Sequence, residues 1–235
     1  MTNPDELSAY MIFSRSDWAA LRASTSLTLS EADLAALRGL NGPITTAEVS
    51  DVYLPLTRLL NLHFSAARNL MQVKAEFLGR PARRSPYIIA LAGSVGVGKS
   101  TFARVLCALL AGWADHPRVE LVTTDGFLHA NAVLEERGLM RRKGFPDSYD
   151  LPRMLRFLAA AKAGEGELEL PVYSHLIGDI VPSERQLIRL PDILVFEGLN
   201  VLQPAPQTGE RASALAVSDL IDFSIYVDAH PSDVR

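Results

Sequence analysis

Gly93-Ser94-Val95-Gly96-Val97-Gly98-Lys99-Ser100 fits G-x-x-x-x-G-K-[ST] at every fixed position. In that pattern glycines let backbone N–H groups turn inward around a row of phosphates, and the helix that follows adds the partial positive charge of its N-terminus. Lys99 is then expected to bridge the β- and γ-phosphates of a nucleoside triphosphate, and the Ser100 hydroxyl to bind Mg²⁺. All eight loop residues, with Thr101 behind them, are candidate nucleotide contacts. A glycine-rich turn that binds nothing needs neither the lysine nor the hydroxyl. Two acids stand at comparable places further on. Asp125 follows the apolar run Val119–Thr123 and Thr124, where a carboxylate can accept a proton from an acceptor hydroxyl. Glu197 ends the run Ile193–Phe196, where it can hold a metal-bound water or fix Ser100. Asp-Gly is also a common turn dipeptide, and an acid can simply favour a helix N-terminus. It is the pairing with the phosphate loop that favours catalysis for Asp125 and metal binding for Glu197.

A phosphate loop names a nucleotide and leaves its use open. The sequence has no N-K-x-D element of the kind that reads guanine, and the strand before Glu197 ends in one acid rather than two adjacent ones. A kinase acting on a small hydroxylated acceptor fits best. Arg137, Arg141, Arg142 and Lys143 read equally as a solvated face or as a phosphate-binding group, and His175 as a substrate contact or a structural histidine.

These groups need a scaffold that brings strand ends together. Tyr87–Ala92, Val119–Thr123, Ile193–Phe196 and Phe223–Val227 are apolar runs that predict strands covered on both faces, each ending in chemically loaded residues, Asp228 being the last. Between the first two, Phe102, Val105, Leu106, Leu109 and Leu110 recur at helical spacing. The fold class is therefore α/β, a phosphate-loop NTP hydrolase or kinase fold with a mostly parallel central sheet flanked by helices. Ligands of such sheets bind beyond the carboxyl ends of the strands, so the endings should converge.

Residues 1–86 read as a helical N-terminal extension packed on a kinase core spanning 87–235. Ser30 with Asp33, and Thr45 with Glu48, carry capping patterns; Val49–Leu78 is periodic, with Pro55 as a kink and Gly79 as a stop. Gln203–Ala212 reads as the loosest segment.

Bulk properties restrict the partners. In 235 residues, 48% of them apolar, there is room for one good core. A formal charge of −4 gives no reason to expect nucleic acid as a partner. The single cysteine, Cys107, falls in the apolar helical pattern and reads as a core thiol. The start of the chain lacks the basic region and apolar run of a signal peptide, and no run has the roughly 18 apolar residues of a membrane span. The expectation is a cytoplasmic protein without membrane contact.

Taken together, the segments Tyr53–Asn61, Pro86–Leu106, Arg118–Asn131, Glu136–Asp150, Pro171–Pro182, Pro191–Gln203 and Ser218–Ala229 resemble the bacterial (type I) pantothenate kinase family. The resemblance covers nearly the whole chain, and TTDGFLHAN, GFPDSYD and PVYSHL carry its specificity. It implies transfer of phosphate from ATP to pantothenate, the step that opens coenzyme A synthesis, with Mg²⁺. It further implies that Asp125 is the general base, that Tyr173 and His175 line the pantothenate pocket, that Arg104 helps bind coenzyme A as a feedback inhibitor, and that the protein is a homodimer. The long helix before the sheet is the candidate dimer element.

Two features depart from the family. Gly178 stands where a pocket-closing tyrosine is usual, which implies looser specificity. The family also continues past the position of Arg235 with helices that carry an arginine near the transferred phosphate, so these 235 residues alone are expected to bind ATP and transfer phosphate poorly. The rivals are a uridine or phosphoribulose kinase of the same group, and a nucleotide- or coenzyme-A-binding module without catalysis.

Overall fold

The computed structural model describes residues 10–37, 44–113, 118–202 and 215–230. The Gln203–Ala212 segment, and the chain end at Arg235, lie outside them. Four strands build the central sheet: β1 (Tyr87–Gly93), β2 (Val119–Thr123), β5 (Ile193–Glu197) and β6 (Phe223–Val227), in the order β2-β5-β1-β6. Every pairing is parallel, with Thr123 and Leu91 level with Glu197 and Gly93 level with Val227. All four carboxyl ends therefore lie along one edge of the sheet.

The alternation of side chains divides the core in two. Ile89, Leu91, Ile193 and Val195 face α4 (Leu54–Phe77) and α5 (Lys99–Ala111), meeting Leu56, Leu60, Phe64, Leu106 and Leu110. Ile88, Ala90, Leu194 and Phe196 face α7 (Leu151–Ala163) and an antiparallel hairpin of β3 (Leu168–Ser174) with β4 (Asp179–Ile188). Each fully buried leucine or isoleucine contributes roughly 2 kcal/mol. This holds α5, and the loop before it, firmly against β1. Cys107 is mostly buried within the first layer, and its thiol is pushed up to about 12 by burial, which leaves it a packing group at neutral pH.

The N-terminal region is helical. α1 (Arg15–Ala20) starts at Ser14, α2 (Glu31–Ala36) at the Ser30/Asp33 capping box, and α3 (Thr46–Glu48) at Thr45, whose hydroxyl accepts from the Glu48 N–H. α3 continues through a π-helical turn, Val49–Tyr53, into α4; Pro55 has no N–H for the helix ladder, and the wider turn falls directly before it. Leu34, Val49, Tyr53 and Leu54 pack on Val105 and Leu109, the far side of α5. Leu62, Leu70, Val73 and Phe77 form an exposed apolar stripe along α4. No described helix is long and apolar enough to cross a membrane.

One expectation is corrected. β6 is not covered on both faces: Phe223, Ile225 and Val227 join the α4/α5 layer, whereas Ser224 and Tyr226 are exposed. It is an edge strand, and among the described residues helices cover only one of its faces.

Candidate active site

The phosphate loop leaves β1 at Gly93 and enters α5 at Gly98. A Cβ on Gly93 would stand 2.4 Å from the Val227 carbonyl oxygen, so only glycine lets the loop pass this close to β6. Gly98 takes the left-handed conformation, with φ +91°, and has no side chain to cap α5; the first N–H groups of that helix stay open toward the loop. Lys99 is 8% exposed, and its ammonium donates to the Ser94 carbonyl at 2.7 Å, spanning the loop. Arg104, one turn along, donates from Nη2 to Thr101 Oγ1 at 3.3 Å, and its Nε is buried without a hydrogen-bond partner.

Ser100 Oγ donates to Glu197 Oε2 at 3.3 Å, bringing together two residues 97 positions apart in the chain. A hydroxyl and a carboxylate beside a phosphate loop are hard oxygen donors. They fit Mg²⁺, which takes few protein ligands and keeps waters and phosphate oxygens around it. No cluster of three or more metal-binding acids, histidines or cysteines occurs among the described residues, so the set does not form an all-protein cage.

Asp125 lies in a single 3-10 turn, Thr124–Phe127, directly after β2. Its Oδ2 stands 3.6 Å from His175 Nε2, too long for a hydrogen bond and close enough for charge attraction when the ring is protonated. His175 follows β3, and Tyr173 packs edge-on against it with ring centroids 5.2 Å apart. Both lie at the tip of the hairpin, which reaches over the same sheet edge as the loop.

The charges of the site are coupled. Burial pushes the Asp125 carboxyl up, against the pull of His175, Lys99 and Lys143. Burial likewise raises Glu197, against Lys99, and lowers the Lys99 ammonium, against Glu197 and Asp125. For all three groups the loss of water outweighs the mutual attraction. Such a cavity is costly to keep charged: a phosphate would offset the Lys99 ammonium, whereas only a cation would offset the Asp125 and Glu197 carboxylates.

The basic cluster divides. Arg142 pairs with Asp147 at 2.9 Å near the surface, and the Arg137 guanidinium meets His129 at 3.1 Å. Lys143 turns inward instead, 5.2 Å above the Tyr173 ring, and donates to Asn131 Oδ1 at 2.6 Å and to the Gly178 carbonyl. Tyr149 was not anticipated as a site residue. It is buried, and its phenol is pushed up to about 12 by burial and then by Asp125, so it stays un-ionised at neutral pH. Asp228, expected to converge with the others, is exposed and accepts the Ala229 N–H.

A parallel sheet with Lys99, Ser100, Glu197 and Asp125 gathered at its carboxyl edge defines a P-loop kinase. Comparison with known proteins agrees: residues 88–235 match the Phosphoribulokinase / Uridine kinase family. A pantothenate kinase from Myxococcus xanthus is 59% identical over 221 residues, covering 94% of this chain and 70% of the relative. One from Sorangium cellulosum is 56% identical over 231 residues, covering 98% and 74%. Among solved structures, a proposed fructose transport system kinase from Silicibacter sp. TM1040 superposes with a TM-score of 0.56 at 28% identity, over 71% of this chain and 76% of that one. The chain belongs to the pantothenate kinase family.

Proposed function

We propose that the protein phosphorylates pantothenate at the expense of ATP. The observation that carries this reading is the place of Asp125, directly after β2 at the sheet edge that also holds the phosphate loop and 3.6 Å from His175 on the hairpin. Such a carboxylate faces both a triphosphate and an acceptor. The hairpin tip, with Tyr173 and His175, holds the acceptor hydroxyl toward Asp125. The carboxylate takes the hydroxyl proton as the oxygen attacks the γ-phosphorus, the bond from that phosphorus to the β–γ bridging oxygen breaks, and ADP leaves. Lys99 and the N–H groups of the loop and of the start of α5 bind the β- and γ-phosphates. Ser100 and Glu197 would hold Mg²⁺, which supplies positive charge to the phosphate oxygens when bound.

The reading extends to regulation and assembly. Coenzyme A carries phosphates of its own that suit the same loop, and Arg104, one turn into α5, adds a positive charge behind it. The exposed stripe of Leu62, Leu70, Val73 and Phe77 suits a second copy of α4.

ADP release measured with pantothenate and with uridine tests the acceptor. In the full-length protein, turnover with pantothenate only is expected, inhibited by coenzyme A in competition with ATP and less so in Arg104→Ala. Turnover with uridine instead would replace the assignment, and inhibition unchanged in Arg104→Ala would remove that residue's role. For assembly, sedimentation should show a dimer that Phe77→Glu converts to monomer; an unchanged mass would sink the α4 interface.

A further inference from the structure

The helix α6 (Asn131–Glu136), which follows the Asp125 turn, begins without a cap of its own: its N-cap position is Ala130, which has no side-chain acceptor. The acceptor comes from 48 residues away. Asp179, the first residue of β4, takes the Asn131 backbone N–H at 3.0 Å on Oδ1, and the same oxygen takes the Ile180 N–H at 2.8 Å. Asn131 returns the contact, donating from Nδ2 to the Gly178 carbonyl at 3.2 Å. Lys143 closes the ring by donating to Asn131 Oδ1 and to that same Gly178 carbonyl. Asn131 thus commits its backbone donor, its amide donor and its amide acceptor to one place.

That place is the tip of the β3–β4 hairpin. Gly178 is held there at φ +63°, and a Cβ on it would meet nothing within 4 Å; what favours glycine is the backbone conformation, not crowding. On the other arm of the same turn stand Tyr173 and His175, and Lys143 lies over the Tyr173 ring. The four-residue tip of a two-stranded hairpin, residues 175–178, with Leu176 and Ile177 exposed, has little apolar burial to fix it. The polar ring supplies what packing does not.

We infer that Asn131, Asp179 and Lys143 form a latch that holds the hairpin tip over the acceptor side of the site, with Asn131 and Asp179 as positioning residues that act through Tyr173 and His175. The latch also ties the tip to α6, which continues from the turn carrying Asp125, so base and acceptor pocket move as one body. Because the hairpin touches the acceptor and not the triphosphate, its loosening weakens acceptor binding and leaves nucleotide binding intact. The inference rests on the assignment of the acceptor to this hairpin.

Asp179→Ala, Asp179→Asn and Asn131→Ala in the full protein test it. Two readouts are needed: initial rates against pantothenate and against ATP, and backbone hydrogen exchange of the hairpin tip without ligands. Asp179→Ala and Asn131→Ala are expected to raise KM for pantothenate about tenfold or more, since a misplacement on the order of 1 Å can cost a hundredfold, and to leave KM for ATP within about twofold. Exchange at the tip should accelerate in both. Asp179→Asn keeps an oxygen for both N–H groups, so it should stay within about threefold of wild type in each readout. The latch is wrong if exchange at the tip is unchanged in Asp179→Ala, if KM for both substrates rises together, or if Asn does no better than Ala. Absence of pantothenate turnover in the wild type would overturn the functional assignment instead, and the exchange comparison would then decide the latch by itself.

Discussion

Lys99→Ala is expected to abolish ATP-dependent phosphorylation, with a fall in turnover on the order of a thousandfold or more. The ammonium is fixed by its place as the first residue of α5 and by its bond to the Ser94 carbonyl, so it needs little reorganisation to meet a phosphate. Among the described residues no second cation stands ready to take over. Lys143, the other lysine coupled to Asp125, is held by Asn131 and the Gly178 carbonyl on the hairpin side. Arg104 is bonded to Thr101 one turn into the helix. The variant should fold, because α5 is anchored by Ala103, Val105, Leu106 and Leu110, none of which contacts depend on the ammonium. An unchanged circular dichroism spectrum together with lost ADP release is the expected pair of results. Near-normal turnover would overturn the role given to the loop.

Why the loop was readable from sequence and the hairpin was not is a matter of where the information lies. The loop is a local device: glycines that permit one backbone path, a lysine and a hydroxyl at fixed offsets, an apolar strand before and an amphipathic helix after. Asp125 and Glu197 were found by the same logic, as acids at the ends of apolar runs in a parallel sheet. β3 and β4 carry Pro171 and Pro182, and their register shifts between Pro171 and Val172. Proline removes a ladder donor and argues against a strand, although a two-stranded hairpin with an open edge tolerates it. The Phe223–Val227 run departs from expectation for another reason. Its alternation of Phe, Ile and Val with Ser and Tyr is the period of a half-exposed strand and was there to be used. The destination of Lys143 within its basic cluster is set by Gly178 and Asn131, contacts that sequence spacing does not express. Tyr149 is an aromatic packed in the larger core layer, and nothing in the sequence distinguishes such a residue from any other core tyrosine.

Asp125→Asn is expected to lower turnover by a factor on the order of a hundred or more while ATP binding persists, the usual contribution of a positioned base. The amide keeps the size of the side chain and loses the ability to take a proton. Collapse of ATP affinity instead would make Asp125 a ligand of the nucleotide or of Mg²⁺. The pH dependence separates these cases further. Burial raises the Asp125 carboxyl above its ordinary value of 3.8, so the wild-type rate should fall at a pH above the usual carboxylate range as the base becomes protonated, and that acid limb should be absent from the residual activity of Asp125→Asn. Stability should move the opposite way. A group whose folded-state pKa is raised contributes stability that is fully present below its unfolded value and is lost as pH rises through the folded one. At neutral pH the ligand-free protein therefore holds an ionised carboxylate against the preference of its surroundings, and replacing it by a neutral amide should raise Tm. A variant that is slower and also melts higher, with the gain shrinking as the pH is lowered toward the carboxylate range, is the signature of a base kept ready at the expense of the fold. A melting temperature lowered by the substitution would mean that the charge is satisfied where it stands, and the account of Asp125 as a desolvated, under-compensated carboxylate would fail.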